Sequence, residues 1–224
     1  MPRSDTKKRD AVRTKAAILN AAIAEFAARG PAGTRVDEVA ARAGVNKSLI
    51  YQYFGSKQEL YAEALNSVLQ AVTERSMRHS HEFAQVTAAQ GGVKKTLRSL
   101  LEAQLSLLEA VPEYPRLLAW ENLEGGDTLG RLPLQQTYES FLKRLQEMAH
   151  PLMARGVLSS SLDLRLVAQS IIALLHYFLI YKGVQRFLFH VDPTQPASRG
   201  LWLDHCTEML ASALASRAAA HPGP

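Results

Sequence analysis

The chain is short of the residues that most extracellular, membrane-spanning and catalytic proteins rely on. It has 224 residues and one cysteine, Cys206, so no internal disulfide is possible and a reducing compartment is expected. Ten prolines and thirteen glycines fall at a few places, which leaves long uninterrupted segments between them. The Arg- and Lys-rich start is not followed by an apolar run, so no secretory signal is expected. The most apolar stretch, Leu166 to Tyr181, is broken by Gln169, Ser170 and His176. It is shorter than the ~20 apolar residues of a membrane span. No membrane association is expected, and the cytoplasm is the expected location. There is no GxSxG, P-loop, GxGxxG or HExxH. His79 and His81, and His205 and Cys206, are spaced so that neither pair shares a helix face. No metal, cofactor or catalytic residue is expected, so enzymatic chemistry is set aside.

What is present is apolar mass and an uneven charge. Hydrophobic residues make up 47%, enough for a sizeable core and too many for disorder. Residues 1–60 hold 11 Lys and Arg against 6 Asp and Glu, whereas residues 61–224 hold 15 of each. A basic first quarter on a neutral remainder points to a polyanionic partner for that quarter.

The pattern is all-α, with no strand signal and no repeat. Residues 1–10 read as a mobile basic arm. Ile18, Leu19, Ala22, Ile23 and Phe26 recur at three- and four-residue spacing, one face of an amphipathic helix that Gly30-Pro31 stops. Thr34 and Asp37 have capping-box spacing for a second helix, ended by Gly44. Asn46 can cap a short third helix from Lys47 to about Phe54. Ser56 and Glu59 form a second capping box, opening a long helix from Lys57. Further helices are expected over Val93–Ala110, through Trp120 to Glu124, from about Pro133 to Arg155, from Asp163 to about Phe189, and from Leu201 to about Arg217. This divides the chain into the arm, a helix-turn-helix domain over 11–56, a larger helical domain over 57–217, to which the dimer surface and effector pocket below are assigned, and a frayed tail over 218–224.

In the third helix Ile50 and Phe54 are four apart and should face the core. Lys47, Ser48, Leu49, Tyr51, Gln52 and Tyr53 are then left outside or at the edges. Lysine and tyrosine reach phosphates, glutamine pairs with adenine, and leucine can touch a thymine methyl. Such a helix suits the major groove of double-stranded DNA. The competing reading is a helical protein-interaction module of the same fold without operator binding.

The run from Ala43 to Tyr61, AGVNKSLIYQYFGSKQELY, resembles the signature of the tetracycline-repressor (TetR) family, roughly AGVSKGTLYxHFxSKEELY. The resemblance covers about the first quarter. It implies a homodimeric regulator, usually a repressor, that binds a palindromic operator and is released by a small molecule. It also implies DNA contacts from Thr34 and Arg35 at the second helix, from Lys47, Ser48, Tyr51 and Tyr53 in the third, and from Lys57 at the start of the fourth. Asn46, also counted among the expected DNA contacts, stands where serine is common and still caps. Leu49 replaces a common threonine, so the operator of a relative cannot be borrowed.

A two-fold operator needs a dimer surface. Leu166, Ser170, Leu174, Phe178, Trp202, Met209 and Ala213, on the last two long helices, are the expected residues. For an apolar or aromatic effector the expected pocket is Leu101, Gln104, Leu105, Arg116, Trp120, Glu121, Tyr138, Phe141, His176 and Tyr177, apolar walls with sparse polar groups.

Overall fold

The computed structural model describes the backbone of residues 3–90, 93–156 and 158–215. Side chains are described for these residues apart from 3–8, 77–90, Gln136, Thr137, Phe141, Arg144 and Met148. In chain order the helices are α1 (Arg3–Gly33), α2 (Val36–Ala43), α3 (Lys47–Phe54), α4 (Lys57–Gln90), α5 (Val93–Glu109), α6 (Glu113–Leu123), α7 (Gln135–Ala154), α8 (Leu164–Ile180), α9 (Lys182–Leu188) and α10 (Pro196–Leu214). Among the described residues there is no strand, and the all-α expectation is met. No single helix among them is long and apolar enough to cross a membrane. The expected tail, 218–224, lies outside the described residues.

The helices form two compact units. The first takes the chain up to Thr73 together with Val111–Leu132, and the second takes Glu74–Ala110 and the chain from Pro133 onward. The chain passes between these units three times, once within α4 and once on either side of α6; the expected boundary at residue 56 falls inside the first unit. Two side chains of α6 explain its place in the first unit. The Trp120 indole N–H donates to the Ala27 carbonyl (3.3 Å), and Glu121 is wholly buried.

In the first unit Ile18, Ala22 and Phe26 are fully buried, as their spacing requires, with Val39, Leu60, Ala64 and Leu117. The Phe26 ring meets Tyr61 edge-on at 5.1 Å. Helix α1 begins at Arg3, so Lys7, Lys8 and Arg9 continue it where a mobile arm was expected. No glycine or proline interrupts residues 3–29, and Lys, Arg and Ala are good helix formers.

At the far end of α1, Gly30 adopts φ +73°. A Cβ there would lie 2.7 Å from the Trp120 ring, so glycine is required both by conformation and by close approach. The Thr34 hydroxyl turns back to donate to the carbonyls of Gly30 (2.8 Å) and Glu25 (3.1 Å). It therefore closes α1 and does not form the expected capping box with Asp37. The box opening α2 is shifted by one residue, with the Arg35 N–H donating to the Glu38 carboxylate (3.3 Å).

In the second unit α5 buries Leu97, Leu101, Leu105 and Leu108, and α8 and α10 bury Leu175, Phe178, Leu203, Cys206 and Leu210. Burial pushes the Cys206 thiol up to about 11, so the thiolate needed for reactivity is suppressed. The single helix expected from Asp163 to Phe189 is two helices, α8 and α9, bent by 70°. The buried Gln185 side chain donates to the carbonyls of Tyr177 (3.2 Å) and Phe178 (3.0 Å). At Phe178 it satisfies an acceptor that a continuing helix would otherwise have used, while the Tyr177 carbonyl also accepts from the Tyr181 N–H (3.1 Å). Asp163 caps α8 as expected, accepting from the Arg165 N–H (2.9 Å); this hydrogen bonding, foremost from the Arg165 side chain, holds its carboxyl down at about 2.

Candidate nucleic-acid interface

Helix α2, a glycine turn and α3 form the unit that the sequence singled out. Gly44 takes the left-handed conformation, φ +67°, which is low in cost for glycine alone. The Val45 N–H then donates back to Ala40 (3.0 Å), closing α2. Asn46 caps α3, its side-chain oxygen accepting from the N–H groups of Ser48 (2.8 Å) and Leu49 (3.3 Å) and from the Ser48 hydroxyl. Asn46 is thus occupied in building the start of α3.

Only two residues of α3 turn inward: Ile50 (1% exposed) and Phe54 (7%). Lys47, Ser48, Tyr51 and Gln52 are exposed, and Leu49 and Tyr53 are half-buried. Tyr51 has 42% of its surface free. An α-helix with two anchors and this outer set presents a donor-rich face of the kind that enters a groove. Arg35 is exposed beside it on the α2 side. Lys57, half-buried at the start of α4, lies 3.4 Å from the Ala32 carbonyl. The expected contact from Thr34 is not made available, because that side chain is 1% exposed and its hydroxyl is used within α1.

Polar bonds that the sequence did not announce hold this face in place. Glu25 of α1, nearly buried, accepts from Arg42 of α2 (2.7 Å) and pairs with Arg29 (3.4 Å). Arg29 also pairs closely with Glu38. The Arg29 guanidinium, then the Arg35 N–H, hold the Glu38 carboxyl below the ordinary range. These charges lie 4 to 17 positions apart in the chain, and only the 25–29 spacing, one helical turn, is a sequence signal.

The second hidden element is Glu121. Its carboxylate accepts from the N–H groups of Thr128 (2.6 Å) and Leu129 (2.8 Å) and from the Tyr61 hydroxyl (3.1 Å). It staples the turn after α6 and ties that turn to α4. Burial, reinforced by the Glu121 charge, pushes the Tyr61 phenol well above its ordinary value.

The expected effector set is divided between the two units. Trp120 and Glu121 are structural elements of the first unit, and Arg116 is exposed there. In the second unit Leu101 and Leu105 are fully buried core, and Gln104 accepts from the Ser76 hydroxyl (2.9 Å). Tyr138 is exposed, and His176 is half-buried with a pKa lowered by burial. Tyr177 stacks on Tyr181 at 5.6 Å. The Phe141 side chain lies outside the described residues. A cleft of about 480 Å³ in this unit is lined instead by residues of α7 and the approach to α8, including Leu142, His150, Met153 and Arg165.

Of the expected dimer residues, Leu166, Ser170, Met209 and Ala213 are exposed, and Leu174 and Trp202 are half-buried. Phe178 is not available: it is 2% exposed and stacks on Trp202 at 6.1 Å. Its register on α8 points it into the core with Leu175 and Leu179. Exposed apolar residues that the sequence reading missed are Phe187, Leu188 and Phe189, because an uninterrupted helix was expected there.

Comparisons with known proteins agree with this geometry. The family model described as "Bacterial regulatory proteins, tetR family" matches residues 18–64, and "Tetracyclin repressor-like, C-terminal domain" matches residues 94–210. The HTH-type transcriptional repressor SCO4008 of Streptomyces coelicolor is 31% identical over 180 residues, 80% of this chain and 85% of that protein. The HTH-type transcriptional regulator RutR of Escherichia coli is 33% identical over 115 residues, 51% of this chain and 50% of that protein. The crystal structure of FadR from Bacillus subtilis in complex with stearoyl-CoA shares the fold, with a TM-score of 0.59 at 19% identity, covering 89% of this chain and 99% of that one. Two matched models, one across the helix-turn-helix and one across most of the remainder, place the chain in the TetR family of bacterial regulatory proteins, DNA-binding transcriptional regulators rather than enzymes.

Proposed function

We propose that the chain is a transcriptional repressor that binds a palindromic operator in double-stranded DNA as a homodimer and is released by a small apolar or aromatic effector. The observation that carries the reading is the division of α3, with Ile50 and Phe54 inward and Lys47, Ser48, Tyr51 and Gln52 outward. Repression follows the Streptomyces coelicolor relative, which is named a repressor. Arg35, Tyr53 and Lys57 supply further phosphate contacts, and Leu49 offers an apolar contact to a thymine methyl.

One eight-residue helix reads few bases. Two copies related by a two-fold axis read half-sites about one duplex turn, ~34–36 Å, or a multiple of it, apart. Leu166 of α8 and Met209 of α10, 60% and 43% exposed, support pairing through those helices, with Ser170 and Ala213 small enough for close approach. The effector site belongs to the second unit, where Leu101, Leu105, His176 and Tyr177 combine apolar bulk with one imidazole. A DNA-bound regulator works in the cytoplasm.

Selection of sequences from a random duplex library tests the reading. Enrichment of an inverted repeat, with affinity falling steeply as salt rises, is the expected result. Salt-insensitive binding, or no enriched sequence, leaves the protein-interaction alternative.

A further inference from the structure

The recognition helix opens with a charge pair that phosphate binding does not explain. The Lys47 ammonium lies 3.0 Å from a carboxylate oxygen of Asp37, in the first turn of α2. The two side chains are 47% and 57% exposed. Solvated pairs of this kind add little to stability, so holding α2 to α3 is a poor reason for it. The neighbouring acid is already occupied, since Glu38 holds Arg29 and the N–H of Arg35. Asp37 therefore adds a negative charge to a face that otherwise carries Arg35, Lys47, Ser48, Tyr51 and Gln52. Facing a polyanion, such a charge lowers affinity for every duplex.

We propose that Asp37 is a specificity-determining positioning residue: it restrains Lys47 from indiscriminate phosphate binding and aims it at a guanine edge in the major groove. The proposal rests on the DNA-reading function above. An ammonium has three N–H donors. One committed to Asp37 leaves two, with directions fixed relative to α3, and O6 and N7 of guanine form an acceptor pair. On an arbitrary duplex the Asp37–Lys47 pair is electrically neutral and releases few counterions. Against the right base edge a directed donor is what is needed, and the pair still supplies it. Asp37 thus acts on the difference between right and wrong DNA, at some cost in overall affinity.

The test compares the full-length wild type with Asp37→Asn and Asp37→Glu. Each protein selects from a random duplex library and is then titrated against the enriched duplex and a scrambled one at several salt concentrations. Circular dichroism melting confirms that each variant is folded. Asp37→Asn is expected to bind the scrambled duplex about tenfold more tightly and to steepen the dependence of log affinity on log salt by ~0.9 per protomer. Its enriched sequence should lose one guanine in each half-site while the other positions persist. Asp37→Glu should keep that guanine. The proposal is overturned if Asp37→Asn selects the wild-type sequence, even with tighter binding throughout, because Asp37 is then only a repulsive charge. Unchanged affinity for the scrambled duplex also overturns it. A wild type that enriches nothing removes the DNA-reading function and the proposal together, and the wild-type arm shows this before any variant is compared.

Discussion

The two units bury similar aliphatic side chains but differ in how many polar groups they close in the interior. The first unit, which carries α2 and α3, contains four of the six buried polar residues among those described: Glu25, Thr34, Glu121 and Thr128. Glu25, Thr34 and Glu121 are tied through their side chains to backbone or to a counter-charge, and Thr128 through its backbone N–H. The second unit contains Gln185 and Thr207. Its remaining polar bonds between helices are mostly on the surface, as Arg98 to Asp204 (2.7 Å), Arg199 to Glu102 (3.1 Å) and Lys94 to Glu208 (2.6 Å) join α5 to α10. Apolar packing is non-directional and tolerates sliding, whereas buried hydrogen bonds fix one arrangement. The unit that must present a helix at set geometry is the one with more of its directional bonds inside. The unit read here as the sensor is held by packing and by weak exterior pairs, which a ligand can rearrange at small cost.

The sharpest way to break this contrast is Glu121→Ala. It leaves the Thr128 and Leu129 amides and the Tyr61 hydroxyl without their acceptor, and should destabilise the first unit by roughly 3–5 kcal/mol. Urea unfolding followed by calorimetry would show it; a loss below about 1 kcal/mol would mean that the buried bonds are not what holds this unit. Gly30→Ala comes next, at about 1–3 kcal/mol, from the positive φ and the overlap with Trp120. The same melts would detect it, and Trp120→Leu in the same chain should relieve part of the penalty.

Acid and alkali separate the units by sign. His176 has a folded pKa below its ordinary 6.5, because burial disfavours the imidazolium. Its contribution to the second unit is present above pH 6.5 and is lost as pH falls through the lowered value. Tyr61 has a folded pKa above its ordinary 10.0, from burial and then from Glu121. Its contribution to the first unit is present below pH 10.0 and is lost as pH rises further. Melting between pH 5 and 7.5 should therefore have a slope that His176→Gln flattens, while Tyr61→Phe should leave that acid slope unaltered and flatten the alkaline one. The smallest effect belongs to Lys94→Ala, where both partners are 62% exposed. A change of no more than about 1 kcal/mol is expected, and a larger one would contradict the claim that these pairs are weak.

Local signals were the legible ones. The glycines at 30 and 44, the Asn46 and Asp163 caps and the inward pair Ile50 and Phe54 could be read from spacing alone, because each depends on neighbours within a helical turn. So could the resemblance that located α3. The errors arose where a side chain is claimed by something distant. Thr34 looks like a cap for α2 and instead closes α1. Trp120 and Glu121 look like pocket residues, an aromatic beside an acid in an apolar helix, yet Trp120 is claimed by Ala27 and Gly30 and Glu121 by Tyr61, each 60 or more positions away, with Thr128 and Leu129 nearer by. Phe178 fits the α8 stripe, but the stripe is wide, and only packing against Trp202 decides which edge is core. The break at Tyr181 has no proline, and the signal for it is Gln185, a polar residue whose burial could not be known in advance.

Binding by Tyr51→Ala tests the central account most directly. Tyr51 is exposed and lies in the middle of α3. Fluorescence anisotropy on the selected operator should show affinity falling about 10- to 100-fold, while the melting curve and the sedimentation coefficient stay at wild-type values. Wild-type affinity in that folded variant would contradict the assignment of the outer face of α3 to DNA.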